Sequence, residues 1–103
     1  MTDRLTQLLK LHERDPRDPF LCYGVALEHR KAGRPRESIE WFDRALACDP
    51  LYCYAYFQKA KSLSDLGEDD AARETLTLGL TQARKAGDAK AQSEIAELLA
   101  SLG

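Results

Sequence analysis

The chain has 103 residues, which is enough for one domain and leaves no room for a second. Hydrophobic residues make up 44% and charged residues 31% of the sequence, a balance typical of a folded globular protein rather than a disordered one. The net charge of -2 gives no reason to expect a nucleic-acid partner, and no apolar run approaches the roughly 20 residues of a membrane span.

The predicted elements, taken in chain order, are helices throughout. The first covers residues 2–14, where leucine recurs at helical spacing from Leu5 onward. Asp15-Pro16 ends it, because the residue before a proline avoids helical geometry. Asp18-Pro19 then supplies an N-cap and a first-turn proline for the second helix.

Glycine closes two of the later helices. We expect Gly33 and Gly67 to lie just past helix ends in a left-handed conformation. Pro35 opens the third helix, and Gly87-Asp88 separates the fifth from the sixth. The helices are predicted over residues 2–14, 19–32, 35–48, 52–66, 69–85 and 89–102.

The chain also repeats itself after 34 residues. Asp15-Pro16 recurs as Asp49-Pro50, and Gly33 recurs as Gly67. Aligning residues 19–50 with 53–84 gives four identities, and three of them, at Ala26, Gly33 and Leu46, fall where a pair of packed helices requires a small residue, a glycine or an apolar residue. The sequence therefore predicts an all-α solenoid of helical hairpins.

Residues 35–50 closely resemble the second helix of a tetratricopeptide repeat. That helix typically carries, in order, an acidic residue, a small residue, an isoleucine, a second acidic residue, two aromatic residues and the pair Ala-Leu, and it ends with Asp-Pro. The resemblance implies a right-handed superhelical solenoid of antiparallel helix pairs with about six helices. It divides the chain into a half repeat over 1–16, full repeats over 19–52 and 53–86, and a terminal helix over 88–103. That last helix resembles the first helix of a repeat with its pattern shifted by two residues.

Some positions depart from the family pattern. Cys22 and His29 stand where aromatic residues are usual in the first repeat, and Gly79 stands where the second repeat usually has alanine.

On the third helix, Phe42 belongs to the apolar stripe and is expected to be buried. Trp41 is expected to be partly exposed on the outer side, against the neighbouring second helix.

Ligands of this family bind mainly on the concave face, which the first helix of each repeat lines. Here the resemblance assigns that face to residues 19–32, 53–66 and 89–102. The predicted groove residues are Phe20, Tyr23, Leu27, Arg30, Tyr54, Phe57, Gln58, Lys61, Lys90 and Glu94. Four aromatics at repeat-equivalent places favour an apolar or aromatic peptide, although ordinary packing between helices would also explain them. We expect Tyr23, Leu27, Phe57 and Lys61 to project into one shallow depression.

Three functions are compatible with this fold. The first is a protein–protein interaction module that binds a peptide or helix segment in the groove. The second is a self-associating scaffold, because a chain that begins and ends with half a repeat would present an apolar face at each end. The third is an adaptor subunit of a larger enzyme or secretion assembly.

Two more specific functions are not expected. Co-chaperones of this family hold the carboxylate tail of heat-shock chaperones with Lys and Asn, whereas Tyr23 and Leu27 occupy the corresponding places in the first helix. Catalysis is not expected either, because the sequence contains no nucleophile elbow, phosphate-binding loop or zinc-protease motif. The same reasoning predicts no cofactor.

The cysteines indicate a reducing compartment. Cys22, Cys48 and Cys53 are an odd number without CxxC spacing, and each lies in an apolar or aromatic neighbourhood typical of a small buried residue. His12 and His29 do not lie at spacings that would complete a metal site. Because the N-terminus also lacks the pattern of a secretory signal, we expect a cytoplasmic protein without a bound metal.

Overall fold

A computed structural model describes residues 3–103 and consists of six helices joined by short turns. None of these residues forms a β-strand. The predicted order and type of the elements are confirmed. The helices are α1 (Arg4–Arg14), α2 (Pro19–Lys31), α3 (Pro35–Cys48), α4 (Cys53–Asp65), α5 (Asp69–Ala86) and α6 (Ala89–Ser101).

Aspartate caps begin three of the helices. The Asp3 side chain accepts a hydrogen bond from the backbone N–H of Thr6 at 2.7 Å, and Asp18 accepts one from Phe20 at 2.9 Å. Asp88 caps α6 in the same way. Each cap satisfies a backbone donor that the first turn of a helix leaves without a partner, which explains why α1, α2 and α6 begin where they do.

Glycine ends α2 and α4 as predicted, with φ angles of 77° at Gly33 and 76° at Gly67. In both turns the next residue donates its backbone N–H back into the helix, from Arg34 to the carbonyl of His29 and from Glu68 to the carbonyl of Leu63, both at 2.9 Å. This closing hydrogen bond requires the left-handed residue between helix and turn.

Replacing Gly33 with valine should therefore lower the free energy of unfolding by about 1 kcal/mol or more, because a β-branched side chain disfavours positive φ. A Cβ at this position would meet no atom within 4 Å, so the loss would come from the backbone alone. Urea unfolding measures it. Ala32→Val, at the adjacent exposed position with φ -81°, is the control, and equal losses in the two variants would contradict the explanation.

The helices pack as antiparallel neighbours in chain order. α2 pairs with α3 and α4 pairs with α5, while α1, α3 and α5 each also contact the helix that follows. The helix α4 contacts both α2 and α6 directly, whereas α3 contacts neither α1 nor α5 in this way. The α2, α4 and α6 helices therefore lie closer together than the α1, α3 and α5 helices. We call these two sets the inner and the outer helices. Because the inner helices approach one another more closely than the outer helices, the elongated molecule, 42 × 29 × 18 Å, curves towards the side of the inner helices, which is its concave side.

Three hydrophobic clusters follow one another along the solenoid. Leu8 joins α1 to α2, Phe42 lies at the centre of the α2–α3 pair, and Leu76 lies at the centre of the α4–α5 pair. Phe42 is fully buried and Trp41 half-buried, so the prediction for both residues is confirmed. The Trp41 ring lies 4.9 Å from the His12 ring of α1, which is the neighbouring outer helix.

The centres of the two full repeats are filled differently. In the second repeat the large Tyr56 lies against Gly79, so closely that a Cβ on the glycine would stand 2.6 Å from the Tyr56 Cβ. In the first repeat the corresponding positions hold Cys22 and Ala45, both fully buried. Gly79 therefore departs from the family pattern because its partner Tyr56 is large.

A polar contact joins the two repeats. The hydroxyls of Ser38 on α3 and Ser62 on α4 are 2.7 Å apart, and both residues are fully buried. Ser38 also donates to the carbonyl of Pro35 at 2.7 Å. Lys59, at a position where the family usually has an apolar residue, forms an ion pair with Asp43 across the same junction at 2.7 Å.

The cysteines are only partly as predicted. Cys22 and Cys53 are buried, and burial raises the pKa of both thiols, as expected for small core residues. The prediction is wrong for Cys48, which is exposed at the end of α3. Cys48 is the last residue of α3, and the adjacent Ala47 is exposed as well, whereas Ala45 one turn earlier packs into the core.

Candidate binding groove

The concave side carries two open depressions along the inner helices. The larger has a volume of about 670 Å³ and lies mainly against α2. It is lined by Arg4, Gly24, Leu27, Glu28, Arg30, Lys31 and Asp65. We call it the main depression.

The second depression, of about 280 Å³, lies between α4 and α6. Its lining residues are Arg30, Ala60, Lys61, Ser64, Asp65, Leu98 and Leu102. We call it the small depression. Together the two follow the C-terminal halves of the inner helices.

An ion pair separates the two depressions. The Arg30 Nε donates to Oδ2 of Asp65 at 3.0 Å, linking α2 to α4, and both residues line both depressions. Their side chains are 31% and 46% exposed, so the pair is solvated and worth on the order of 1 kcal/mol or less. A ligand that offers either side chain another partner can therefore displace this contact at little cost.

Positive charge exceeds negative charge along the depressions. The Oε2 atom of Glu28 lies 3.4 Å from the Lys31 Nζ and 3.9 Å from the Arg4 Nε. Two cationic side chains therefore share a single carboxylate. Lys61 adds a further cation in the small depression. The lining of the two depressions thus carries a net positive charge, although the whole chain has a net charge of -2.

The main depression has an apolar floor. Leu27 is half-buried and Gly24 is buried beside it. A Cβ on Gly24 would stand 3.3 Å from a methyl carbon of Leu8, so the glycine lets α1 and α2 approach closely. The small depression has a matching apolar side from Leu98 and Leu102 of α6.

Tyr23 is packed among aromatic rings rather than free in the groove. Its ring centre is 5.0 Å from Tyr52, in the turn before α4, and 5.8 Å from the buried Phe42. Burial raises the pKa of Tyr23, an effect that Gln58 opposes through a side-chain hydrogen bond, and burial raises the pKa of Tyr52 to about 12. These contacts tie Tyr23 to the core of the first repeat.

The aromatics of α4 form a second, half-buried group. Tyr54 and Phe57 meet edge to face with ring centres 6.2 Å apart, and the Lys61 Nζ lies 4.5 Å above the Phe57 ring. Desolvation raises the pKa of Tyr54, and the Glu94 carboxylate of α6 adds to the shift. Phe57 also packs on the hydrophobic cluster of the second repeat.

The predicted groove residues therefore separate into two groups. Leu27, Arg30 and Lys61 line the depressions, whereas Tyr23 and Phe57 line neither, so the expectation of one depression shared by Tyr23, Leu27, Phe57 and Lys61 is wrong. The structure places the remaining predicted residues outside both depressions: Phe20, which is 60% exposed, the exposed Lys90, and the half-buried Tyr54, Gln58 and Glu94.

Several lining residues were not predicted from the sequence. Lys31 and Asp65 lie one helical turn beyond Leu27 and Lys61, so extending the predicted stripe by four residues would have found both. Leu98 and Leu102 look like core residues in the sequence, because nothing local indicates that one side of α6 is open. Nothing in the sequence indicates that Arg4 of α1 lies beside the main depression.

Within residues 3–103 we find no group of three or more side chains that could hold a metal ion. None of the helices over the same residues is both long enough and apolar enough to cross a membrane.

Comparison with known proteins identifies the family. A tetratricopeptide repeat model matches residues 41–74. A tetratricopeptide repeat domain protein from Salinibacter ruber is 31% identical, with 85% of this chain and 89% of that chain covered and a TM-score of 0.79. The chain belongs to the tetratricopeptide repeat family. Proteins with this fold are generally protein–protein interaction modules, which places the chain among binding domains.

Two further comparisons are consistent with this result. An uncharacterized protein of Methanocaldococcus jannaschii is 34% identical over 58 residues, which are 56% of this chain and 67% of that protein. The TPR2B domain of yeast Sti1, solved as a complex with pHsp70, superposes with a TM-score of 0.90 over 95% of this chain and 78% of that chain. Its identity of 23% shows the shared fold alone.

Proposed function

We propose that this chain binds a short segment of another protein along the main and small depressions. The observation that carries the proposal is the Arg30–Asp65 pair, because both of its side chains line both of the open depressions. When a ligand displaces that pair, the depressions join into one channel across α2, α4 and α6. A channel of this kind accommodates a peptide rather than a small molecule.

The lining favours a segment that combines acidic and apolar side chains. Arg4, Arg30, Lys31 and Lys61 outnumber Glu28 and Asp65, so an acidic segment gains electrostatic attraction. The apolar side chains of such a segment would cover the leucines of both depressions and gain roughly 25 cal/mol per Å² of buried apolar surface. Ordering the segment offsets part of this gain, so we expect micromolar affinity.

The charge requirement can be tested with peptides selected against the wild-type chain from a phage-displayed library. Lys61→Glu should weaken the binding of these peptides about fivefold or more, corresponding to about 1 kcal/mol. Fluorescence anisotropy of labelled peptides measures the change. Raising the salt concentration should weaken wild-type binding and should have less effect on the variant.

Arg17→Glu is the matched control, because Arg17 is exposed in the turn before α2 and lines neither depression. It makes the same change of charge and should leave peptide affinity unchanged. Selected peptides that bind Lys61→Glu as tightly as the wild type would place the binding surface elsewhere. Failure to select any peptide above background would count against the proposal as a whole.

A further inference from the structure

Two of the three cysteines lie at the same end of the first repeat. Cys22 is the fourth residue of α2, and Cys48 is the last residue of α3. The two helices are antiparallel neighbours, so the first turn of α2 lies beside the last turn of α3. The contact between Tyr23 and Tyr52, with ring centres 5.0 Å apart, joins the residue after Cys22 to the turn that follows Cys48.

The two thiols are neighbours across this pair of turns. Cys22 is fully buried in one cluster with Ala45 of α3, and both side chains are small enough to let the helices approach closely. Cys48 lies one turn after Ala45, and side chains on a helix lean towards its N-terminus, so the Cys48 thiol leans back towards this cluster. Burial raises the pKa of the Cys22 thiol, and Cys48 raises it further, partly through a side-chain hydrogen bond.

Cys53 is placed differently, although it is the nearest cysteine to Cys48 in sequence. It stands five residues after Cys48, yet it belongs to the hydrophobic cluster of the second repeat. Its Sγ donates a hydrogen bond to the carbonyl of Leu51 at 3.3 Å. The fold therefore brings Cys22 and Cys48 together and sets Cys53 apart from them.

We propose that Cys22 and Cys48 are a reversible redox site, which a low-molecular-weight disulfide such as oxidised glutathione converts into an intramolecular disulfide bond. The two thiols differ in their access to solvent. Cys48 is exposed, so a dissolved disulfide can reach its sulfur. Cys22 is fully buried and can be reached only from within the protein. Cys48 is therefore the residue that reacts first, and Cys22 is the residue that completes the bond.

The reaction consists of two thiol–disulfide exchanges. The Cys48 thiol gives its proton to water, its sulfur bonds to one glutathione, and the other glutathione takes up a proton and leaves as a thiol. The Cys22 thiol then loses its proton, and its sulfur attacks the Cys48 sulfur and displaces the second glutathione as a thiol. The protein has lost two hydrogen atoms, and the reagent has gained two. Burial raises the pKa of Cys22, and the positive charge of Arg44 partly offsets this effect.

The bond would tie the two helices of the first repeat together at their shared end. A disulfide needs Cβ atoms about 3.5–4.5 Å apart, and Cys48 can adjust because it is the final residue of its helix. Closing a loop between Cys22 and Cys48 also removes conformational freedom from the unfolded chain. The oxidised protein should therefore be more stable than the reduced protein.

Oxidation of the folded 103-residue chain with excess glutathione disulfide tests the proposal. Free thiols are then blocked with iodoacetamide, and chymotrypsin cleavage after Tyr52 separates Cys48 from Cys53. Mass spectrometry should show a bond between Cys22 and Cys48 and a blocked Cys53. A folded chain that bonds Cys48 to Cys53, retains glutathione on Cys48 or cross-links two copies through Cys48 would overturn the proposal.

The same oxidation in concentrated urea is the control for the role of the fold. In the unfolded chain the short separation of Cys48 from Cys53 favours a bond between these two residues. We therefore expect the pairing to change when the chain unfolds. An identical pairing in the folded and unfolded chains would show that the fold does not select Cys22.

Serine variants test the roles of the two residues. Cys22→Ser should stop with one glutathione bound to Cys48, and Cys48→Ser should react at least about tenfold more slowly than the wild type, because only buried thiols remain. Cys53→Ser is the matched control and should form the bond at the wild-type rate. Circular dichroism should show that all three variants are folded. A Cys48→Ser variant that reacts as fast as the wild type would refute the assigned order.

Urea unfolding of the oxidised and reduced chains measures whether the bond fits the folded repeat. The midpoint should be higher for the oxidised chain, and dithiothreitol should restore the midpoint of the reduced chain. A midpoint that falls on oxidation would mean that the bond distorts the first repeat, and it would contradict a site built into the native fold.

Discussion

Replacing Gly79 with alanine should destabilise the domain by about 2 kcal/mol, which is an unusually large effect for adding one methyl group. The new Cβ would stand 2.6 Å from the Cβ of Tyr56 and 3.0 Å from its Cγ. These atoms are next to the backbone of α4 and cannot rotate away, so α4 and α5 would have to separate. Because the contacted atoms are fixed beside the backbone, we expect an overpacking cost of about 3 kcal/mol, the upper end of the usual range, against a gain of about 1 kcal/mol in helix propensity.

Gly24→Ala is the matched control, since Gly24 is also a buried glycine within a helix. Its new Cβ would meet the terminal methyl carbons of Leu8 at 3.3 and 3.4 Å and the Leu8 Cγ at 3.9 Å, and this flexible side chain can move. We expect a change within about 0.5 kcal/mol of zero or a small gain. Thermal and urea unfolding measure both variants. Equal effects in the two variants would show that the close contact of Tyr56 with Gly79 does not limit packing.

Replacing Tyr23 with alanine should lower the free energy of unfolding by about 2 kcal/mol. Tyr23 is half-buried, and its ring packs against Phe42 and Tyr52, so its removal leaves part of the first repeat unfilled. Full removal of a buried aromatic costs about 3–5 kcal/mol, and partial burial reduces that figure. The melting temperature should fall by roughly 10 °C, because about 1 kcal/mol corresponds to 4–8 °C in a domain of this size.

Phe20→Ala is the control for Tyr23→Ala, because Phe20 is an aromatic residue one turn earlier on the same helix and is 60% exposed. It should change the free energy of unfolding by less than about 0.5 kcal/mol. If Tyr23→Ala instead unfolded like the wild type and lost peptide binding, the ring would belong to the groove rather than to the core.

The helices could be predicted closely from the sequence because their ends carry strong local signals. The range 19–32 was predicted where α2 covers Pro19–Lys31, and 69–85 where α5 covers Asp69–Ala86. Aspartate caps, first-turn prolines and left-handed glycines act within a few residues of where they stand. Tertiary contacts are not needed to interpret them.

The groove was less predictable because its shape depends on side chains that are distant in sequence. Helical spacing places Tyr23 and Leu27 on one face of α2. It does not reveal that Tyr52 packs on Tyr23, whereas Leu27 stays open to the main depression. The ion pair between Arg30 and Asp65 joins residues 35 positions apart. From charge alone, several oppositely charged residues of the sequence would be acceptable partners for Arg30 and for Asp65.

The order in which the helices touch has a consequence for how the chain comes to be folded. The strongest packing is between helices that follow one another directly, and the contacts that skip one helix, from α2 to α4 and from α4 to α6, are few. Closing a short turn costs little chain entropy, so contacts of this kind form quickly. As the chain emerges from the ribosome, α2 and α3 can pair before α6 has been synthesised. Each later helix can then pack on a helix that has already been synthesised. Folding therefore does not require a segment distant in sequence to be present first.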